Sequence, residues 1–316
     1  MQLIRGIHNL RKHHQGCVLT VGNFDGVHRG HQALLAQLCS EGLHRNLPVM
    51  VMLFEPQPIE FFTNRSSPAR LTRLNEKIRL LKKTGVDLVL CIRFDHNFSD
   101  YSAQDFIAEI LVKKLNIQLL VVGSDFQFGV DRSGDFALLK QESIRYGFGI
   151  ISAQTFFYSK ERISSTIIRR VLAKDNFELA QRLLGRPFSI SGRVVHGEEL
   201  GRIIGFPTAN ISLCRTVSPV TGVYAVHVQG CHDQVLSGIA NIGIRPTFNL
   251  GIQQLEVHLF DFSLDIYGRY IEVIILNKIR TEQCFNSINA LRNQIKNDIV
   301  TARYFFKNRR SIGLIT

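Results

Sequence analysis

The feature that most constrains this chain is an alternation that runs to about residue 184. A short run, apolar at almost every position, is followed each time by a stretch with helical period. CVLTVG (17–22) precedes a helical stretch at 31–44, VMVMLF (49–54) precedes 69–83, and DLVLCI (87–92) precedes 102–115. QLLVVG (118–123) precedes a helix near 135–146, and GIISA (149–153) leads to SSTIIRRVLA (164–173). Strands that are apolar on both faces and are each followed by a helix build a parallel sheet covered on both sides. The spacing predicts a doubly wound α/β domain over residues 1–184. Ser102 and Asp105 match the start of a capping box on the third of these helices.

Past LGRP (184–187) the texture changes. VYAVHV (223–228), QVLSGIANIG (234–243), QLEVHLF (254–260) and YIEVIIL (270–276) follow one another with turn signals and no helices between them. That pattern predicts a mostly antiparallel β-barrel or sandwich over 185–316. Helical period returns at 286–306, where Ile288, Leu291, Ile295 and Ile299 share one face.

Composition removes whole classes. With 45% hydrophobic and 20% charged residues the chain is globular and not disordered. Apolar runs of about five residues are far short of the roughly 20 that a membrane span needs. Arg5, His8 and Asn9 interrupt what would be a secretory signal core. The six Cys lie far apart without C-x-x-C, as expected of reduced thiols in a cytoplasmic protein. A formal charge of +12 suggests an anionic partner. The excess is spread, +7 over 1–185 and +5 over 186–316. That favours small phosphorylated substrates over a nucleic acid, whose binders usually carry concentrated basic arms.

Two segments carry chemistry. GNFDGVHRGH (22–31) follows the first strand and opens the first helix, where ligands of open α/β sheets bind. It fits neither the dinucleotide fingerprint nor the P-loop. His28 and His31, three apart at a helix start, share one face beside free N–H groups. Such a cradle suits a polyphosphate. A zinc pair or plain surface histidines are the other readings, and the further ligands zinc needs are absent. Ser164, Ser165 and Thr166 open a later helix with Arg169 one turn on, which reads as a phosphate clamp or as a simple N-cap.

The second segment is HGEELGRIIGFPTAN (196–210). Gly197, Gly201 and Gly205 allow close backbone approach to a phosphate, or form an ordinary turn. Thr208 and Asn210 offer hard oxygens on one side of an extended segment, suited to Mg²⁺. Glu256 interrupts an apolar strand, either as a solvent-facing residue or as a general base beside Mg-ATP.

Together these segments resemble the bacterial bifunctional riboflavin kinase/FAD synthetase family. The first half carries the His-x-Gly-His signature of nucleotidylyl transferases, with FEPQP (54–58), RLT (70–72), VVGSDFQFG (121–129), SGD (133–135) and LLGRPF (183–188). The second half is similar to riboflavin kinase through GFPTAN, GVYAVHV (222–228), GIANIGIRPTF (238–248), LEVHLFDF (255–262), DIYG (265–268) and KIRTEQCF (278–285).

The resemblance implies ATP over Gly22, Asn23, Phe24, Asp25, His28, His31, Ser164, Thr166 and Arg169, with FMN adenylylated to FAD and pyrophosphate released. Asp125 and Phe126 would approach nucleotide or flavin. In the second half it implies ATP over Gly201, Gly205 and Thr208, with Mg²⁺ on Thr208 and Asn210. Glu256 would act as base on riboflavin, giving FMN, with Arg280 and Glu282 near the flavin. The family often has His where this chain has Gln57. Loss of adenylyl transfer is therefore the nearer alternative, and a basic nucleic-acid binder with an inactive pocket the more distant one. The implied partners are riboflavin, FMN and ATP, without nucleic acid or membrane, and homo-oligomers are compatible.

Overall fold

The structure is a computed structural model that describes residues 1–63, 67–159, 161–197, 200–213, 217–244 and 253–311. Residues 198–199 of the glycine segment and 245–248 of GIANIGIRPTF lie outside that set. The chain packs as two compact units, Met1–Pro68 with Thr72–Ser165, and Ala69–Leu71 with Thr166–Thr316.

The first unit is a six-stranded, all-parallel sheet. Its strands are β1 (Gln2–Arg5), β2 (Val18–Val21), β3 (Val49–Glu55), β4 (Leu88–Arg93), β5 (Leu119–Gly123) and β6 (Gly149–Ala153), in the order β1-β4-β3-β2-β5-β6. Because side chains alternate between faces, each strand feeds two cores. Leu19, Met50, Leu90 and Leu120 meet Phe106, Ile107, Ile110 and Leu111 on one face. Val18, Val51, Val89 and Val121 meet Leu35, Leu38 and Leu81 on the other. The helices are α1 (Arg29–Arg45), α2 (Pro58–Thr63), α3 (Leu74–Lys82), α4 (His96–Ser99), α5 (Ala103–Asp105) and α6 (Phe136–Tyr146). The expected N-cap forms without the reciprocal half of a capping box: Ser102 Oγ accepts from Asp105 N (3.0 Å), and Asp105 Oδ2 takes the Ser102 hydroxyl (2.7 Å) in place of its backbone N–H. After that cap the expected helix widens into π-helical turns over Phe106–Lys114. A short hairpin, β7 (Phe157–Tyr158) with β8 (Glu161–Arg162), precedes α7 (Ser165–Ala173).

The order in which strands are added reverses beside β2: β3 and β4 lie to one side of it, and β5 and β6 to the other, all parallel. Such a switch point leaves a crevice at the carboxyl ends of the strands. The loops after β2 and β5, residues 22–28 and 124–128, are the ones that flank it.

The second unit is a closed antiparallel barrel, ordered β10-β13-β12-β11-β14-β9. Its strands are β9 (Ser189–Val195), β10 (Ala209–Ser212), β11 (Gly222–Gln229), β12 (Leu236–Ile244), β13 (Gln253–Leu259) and β14 (Tyr270–Arg280). Helices α8 (Phe177–Leu184), α9 (Leu200–Ile203) and α10 (Ile288–Ser311) accompany it. Ala302 of α10, flanked by Ile295 and Ile299, packs on Ala225, Ile239 and Phe260.

The packing boundary falls at Ser165/Thr166, ahead of residue 184 where the sequence texture changes. Its cause is the turn between α7 and α8. Asp175 there takes Lys278 Nζ at 2.8 Å and lies 3.2 Å from the Tyr224 hydroxyl, and Phe177 packs edge-on against the Tyr224 ring. Periodicity shows where strand–helix alternation stops, and says nothing of which core the last helices join.

Candidate active sites

The loop from Gly22 to His28 is held in an uncommon backbone path. Phe24 (φ 47°), Gly26 (φ 82°) and Val27 (φ 38°) all occupy the left-handed region. For a β-branched residue such as Val27 this is costly, and strain of that kind concentrates at functional sites. Asp25 supplies the restraint. Its Oδ1 accepts from Thr72 N (2.9 Å) and Thr72 Oγ1 (3.2 Å), and that hydroxyl accepts from Gly26 N (2.9 Å). Ser165 Oγ donates to Asp25 O at 2.9 Å. The structure thus places Asp25, expected near nucleotide, as the buried pin of the loop.

The pinned loop delivers His28 to the N-cap of α1. Its Nδ1 accepts from His31 N at 3.3 Å. The bond leaves the proton on Nε2, so that edge of the ring is a donor. The His28 and His31 rings stack at 3.6 Å with 16° between their planes, and Phe24 packs at 5.0 Å from His31. Gly30 makes room, since a Cβ there would lie 3.2 Å from the His28 ring. Burial holds the His31 imidazole well below its usual range, with the charges of His28 and the fully buried Lys77 pushing the same way. His31 therefore meets a ligand as a neutral ring.

Buried polar atoms mark where that ligand's groups would fit. His31 Nδ1 and Gln57 Nε2 have no hydrogen-bond partner among the described residues, and Gln57 is 3% exposed. Leaving such groups unpaired costs about 1–3 kcal/mol each, which a bound anion would recover. On the other loop, exposed Asp125 forms a bidentate pair with Arg162 (2.6 and 3.1 Å). The Arg162 guanidinium holds the Asp125 carboxyl below its ordinary range. Phe126 stacks on Phe128 at 5.5 Å. Ser164 and Asn23 are half-buried. Thr166 is exposed, and half-buried Arg169, in the second unit, donates from Nε to Ala69 O at 2.5 Å.

A set of aromatic rings escaped the sequence reading. Phe54, Phe61, Phe94, Phe98, Phe106 and Phe128 form a connected series of ring contacts, with centroids 5.3–6.3 Å apart. Phe54 and Phe94 lie near the carboxyl ends of β3 and β4. The Phe residues alone were visible in the sequence, but only the sheet order gathers them.

In the barrel, Glu256 occupies the middle of β13. Leu255, Val257 and Leu259 are buried, while Gln254, Glu256 and His258 alternate with them on the half-buried face. Asn210 of β10 and Asn241 of β12 stand directly opposite Glu256 on either side. Gln254 Nε2 donates to Asn210 Oδ1 at 2.8 Å.

The glycines fit around these side chains. A Cβ at Gly197 would lie 2.2 Å from Asn210 Nδ2, and one at Gly201 would lie 3.0 Å from Thr208 Oγ1. Gly205 takes the left-handed conformation (φ 89°). The spacing of glycines was legible in the sequence, but the atoms they admit were not. Glu282 reaches back over β12, where a Cβ on Gly243 would collide with its carboxylate. Arg280 is instead committed to Asp298 of α10, with Nε 3.0 Å from both oxygens, and both side chains are largely buried.

A family model for FAD synthetase matches residues 10–167, and one for riboflavin kinase matches 184–306. The bifunctional riboflavin kinase/FMN adenylyltransferase of Escherichia coli strain K12 is 60% identical over 97% of this chain and 98% of its own length. This chain belongs to the bifunctional riboflavin kinase/FMN adenylyltransferase family.

The family member of Haemophilus influenzae is 50% identical over 98% of this chain and 100% of its own. Among solved structures, one described as a macrolide-efflux protein from Streptococcus pneumoniae is similar, with TM-score 0.78 and 32% identity over 96% of this chain and 99% of that one. In the present family member no helix among the described residues is long and apolar enough to cross a membrane. No group of three or more His, Cys, Asp or Glu among them could hold a metal ion.

Proposed function

We propose that this chain phosphorylates riboflavin to FMN and then adenylylates FMN to FAD, each step using ATP. Residues 1–184 carry adenylyl transfer and 185–316 carry the kinase. The reading rests above all on family membership over nearly the whole chain, together with the His28–His31 stack at the switch point.

In adenylyl transfer a phosphate oxygen of FMN attacks the α-phosphorus of ATP. The new P–O bond forms as the bond to pyrophosphate breaks, and no enzyme group is covalently involved. What the protein supplies is position and hydrogen-bond donors for the spreading charge. His28 Nε2–H, the His31 ring and the Gln57 amide, whose Nε2 has no other partner among the described residues, are those donors. Asp25 acts through the loop it pins. The series of phenylalanines offers a face on which a flavin ring can stack.

In the kinase step Glu256 accepts the proton of the terminal ribityl hydroxyl as its oxygen bonds to the γ-phosphorus and ADP leaves. Thr208 Oγ1 and Asn210 Oδ1 are hard oxygens with glycine backbone close by, and they fit Mg²⁺ held jointly with ATP phosphates. Bound there, Mg²⁺ would neutralise phosphate charge. The basic balance of the chain then serves anionic small molecules, without a nucleic-acid partner. Cys17, Cys39, Cys91, Cys231 and Cys284 are free thiols, in keeping with action in the reducing cytoplasm.

The deciding experiment is chromatography of flavins after mixing purified protein with riboflavin, ATP and Mg²⁺. FMN appears first and FAD later. Glu256→Gln loses FMN formation and keeps adenylylation of supplied FMN, whereas His28→Ala does the reverse. FAD made normally by His28→Ala overturns the cradle assignment.

A further inference from the structure

Lysine is among the residues least often fully buried, because its ammonium loses hydration there. This chain has 38 Lys and Arg, and among the described residues Lys77 is the one that is buried, at 0% exposure. Two helices on one face of the sheet set its place. Lys77 and Leu81 are one turn apart on α3, while His31, Leu35 and Leu38 line one side of α1. Leu35, Leu38 and Leu81 meet in the core that Val51 and Val89 form on that face. Each helix enters from the carboxyl end of a strand, β2 for α1 and β3 for α3. His31 and Lys77 therefore lie in first turns at the same level of the sheet. α3 is moored there, because Thr72, just ahead of it, donates from N and Oγ1 to Asp25 of the histidine loop. The Lys77 charge is felt on both sides. Burial, then the charges of His28 and Lys77, hold the His31 imidazole well below its usual range. On β4, burial and the Glu55 charge raise the Cys91 thiol while Lys77 opposes them.

We infer that Lys77 is the buried counter-charge of the phosphate cradle, a positioning residue whose field favours the negative charge gathering on departing pyrophosphate. The inference rests on the reading that His28 and His31 hold the phosphates of ATP. Being sealed from the surface, the ammonium touches no ligand and acts through the His31 ring. Interior charges are screened far less than surface ones, so a fixed cation there stabilises an anion without contact. A purely structural lysine would matter for its aliphatic stem, which Met reproduces. The role inferred here lies in the charge, which Met lacks.

Adenylylation of supplied FMN by the full chain, followed by chromatography of flavins, tests it. Lys77→Met keeps length and helix propensity without the charge, and Lys77→Arg keeps the charge. The expected rate of Lys77→Met is lower by about tenfold or more, with Lys77→Arg several-fold faster than Met. Inhibition by inorganic pyrophosphate weakens by about tenfold in Lys77→Met, while inhibition by uncharged adenosine stays within about twofold. Both variants make FMN from riboflavin at the wild-type rate. Equal rates in the two variants, or pyrophosphate and adenosine weakened alike, overturn the role. So does a Lys77→Met chain that circular dichroism finds unfolded, since the lysine then serves the fold. His28→Ala, assayed alongside, separates the two claims. If that variant makes FAD normally, the cradle reading fails. If it is inactive while Lys77→Met keeps the wild-type rate and pyrophosphate inhibition, only the role of Lys77 fails.

Discussion

Gly197→Ala probes the kinase site through a single added carbon. That Cβ would sit 2.2 Å from Asn210 Nδ2, 2.7 Å from Cγ and 3.0 Å from Oδ1. Ordinary contact begins near 3.4 Å, so the amide must retreat by roughly 1.2 Å. Asn210 is 6% exposed and tied to Gln254, so it cannot swing freely. Giving up that hydrogen bond costs about 0.5–1.5 kcal/mol, and leaving its rotamer costs about as much again. Backbone strain adds nothing, because Gly197 is outside the left-handed region. The variant should therefore fold, with a melting temperature a few degrees lower. A positioning group moved by about 1 Å costs on the order of 10²-fold in rate. The expected readout, by chromatography of flavins, is FMN formation reduced about 10²-fold, with adenylylation of supplied FMN intact. Wild-type FMN formation with an unchanged Mg²⁺ requirement would refute the placement of Asn210 against the glycine loop.

Two further outcomes are expected. Because burial keeps His31 neutral in the free protein, an anionic phosphate placed against it raises its proton affinity. ATP binding to the first unit should therefore take up protons and tighten as pH falls below the usual histidine range. Calorimetry in buffers of different ionisation enthalpy shows the uptake, and His31→Gln should abolish that part; identical uptake in the variant contradicts the argument. Arg280→Met removes the charge partner of the buried Asp298 carboxylate, leaving it the Gln294 amide, and should destabilise the barrel by about 3 kcal/mol. A raised KM for riboflavin at unchanged melting temperature would instead place Arg280 on the flavin.

What could be read from the chain follows from which interactions are local. Apolar runs such as VMVMLF betray a strand buried on both faces, and the Ser102–Asp105 cap spans only four residues, so both were legible. β1 was not, because Gln2–Arg5 is only four residues long, with polar ends, and becomes a strand through its parallel pairing with β4. β9 and β10 likewise depend on barrel closure for their hydrogen bonds. At the sites the same division holds. His28 and His31 are neighbours by helix geometry, so their pairing was visible. Asp25 as a pin, Arg280 as a partner of Asp298 and Asn241 beside Glu256 all depend on segments distant in sequence.

The pin also orders events in time. Asp25 is tied to Thr72, 47 residues later, and to Ser165, 140 residues later. At about 5–20 residues per second, a ribosome takes roughly 7–28 s after making Asp25 to reach Ser165. Throughout that interval the histidine loop exists without its last restraint. A nascent chain therefore carries the phosphate cradle in its first 31 residues, yet holds it in working shape only once more than half of the protein has been synthesised.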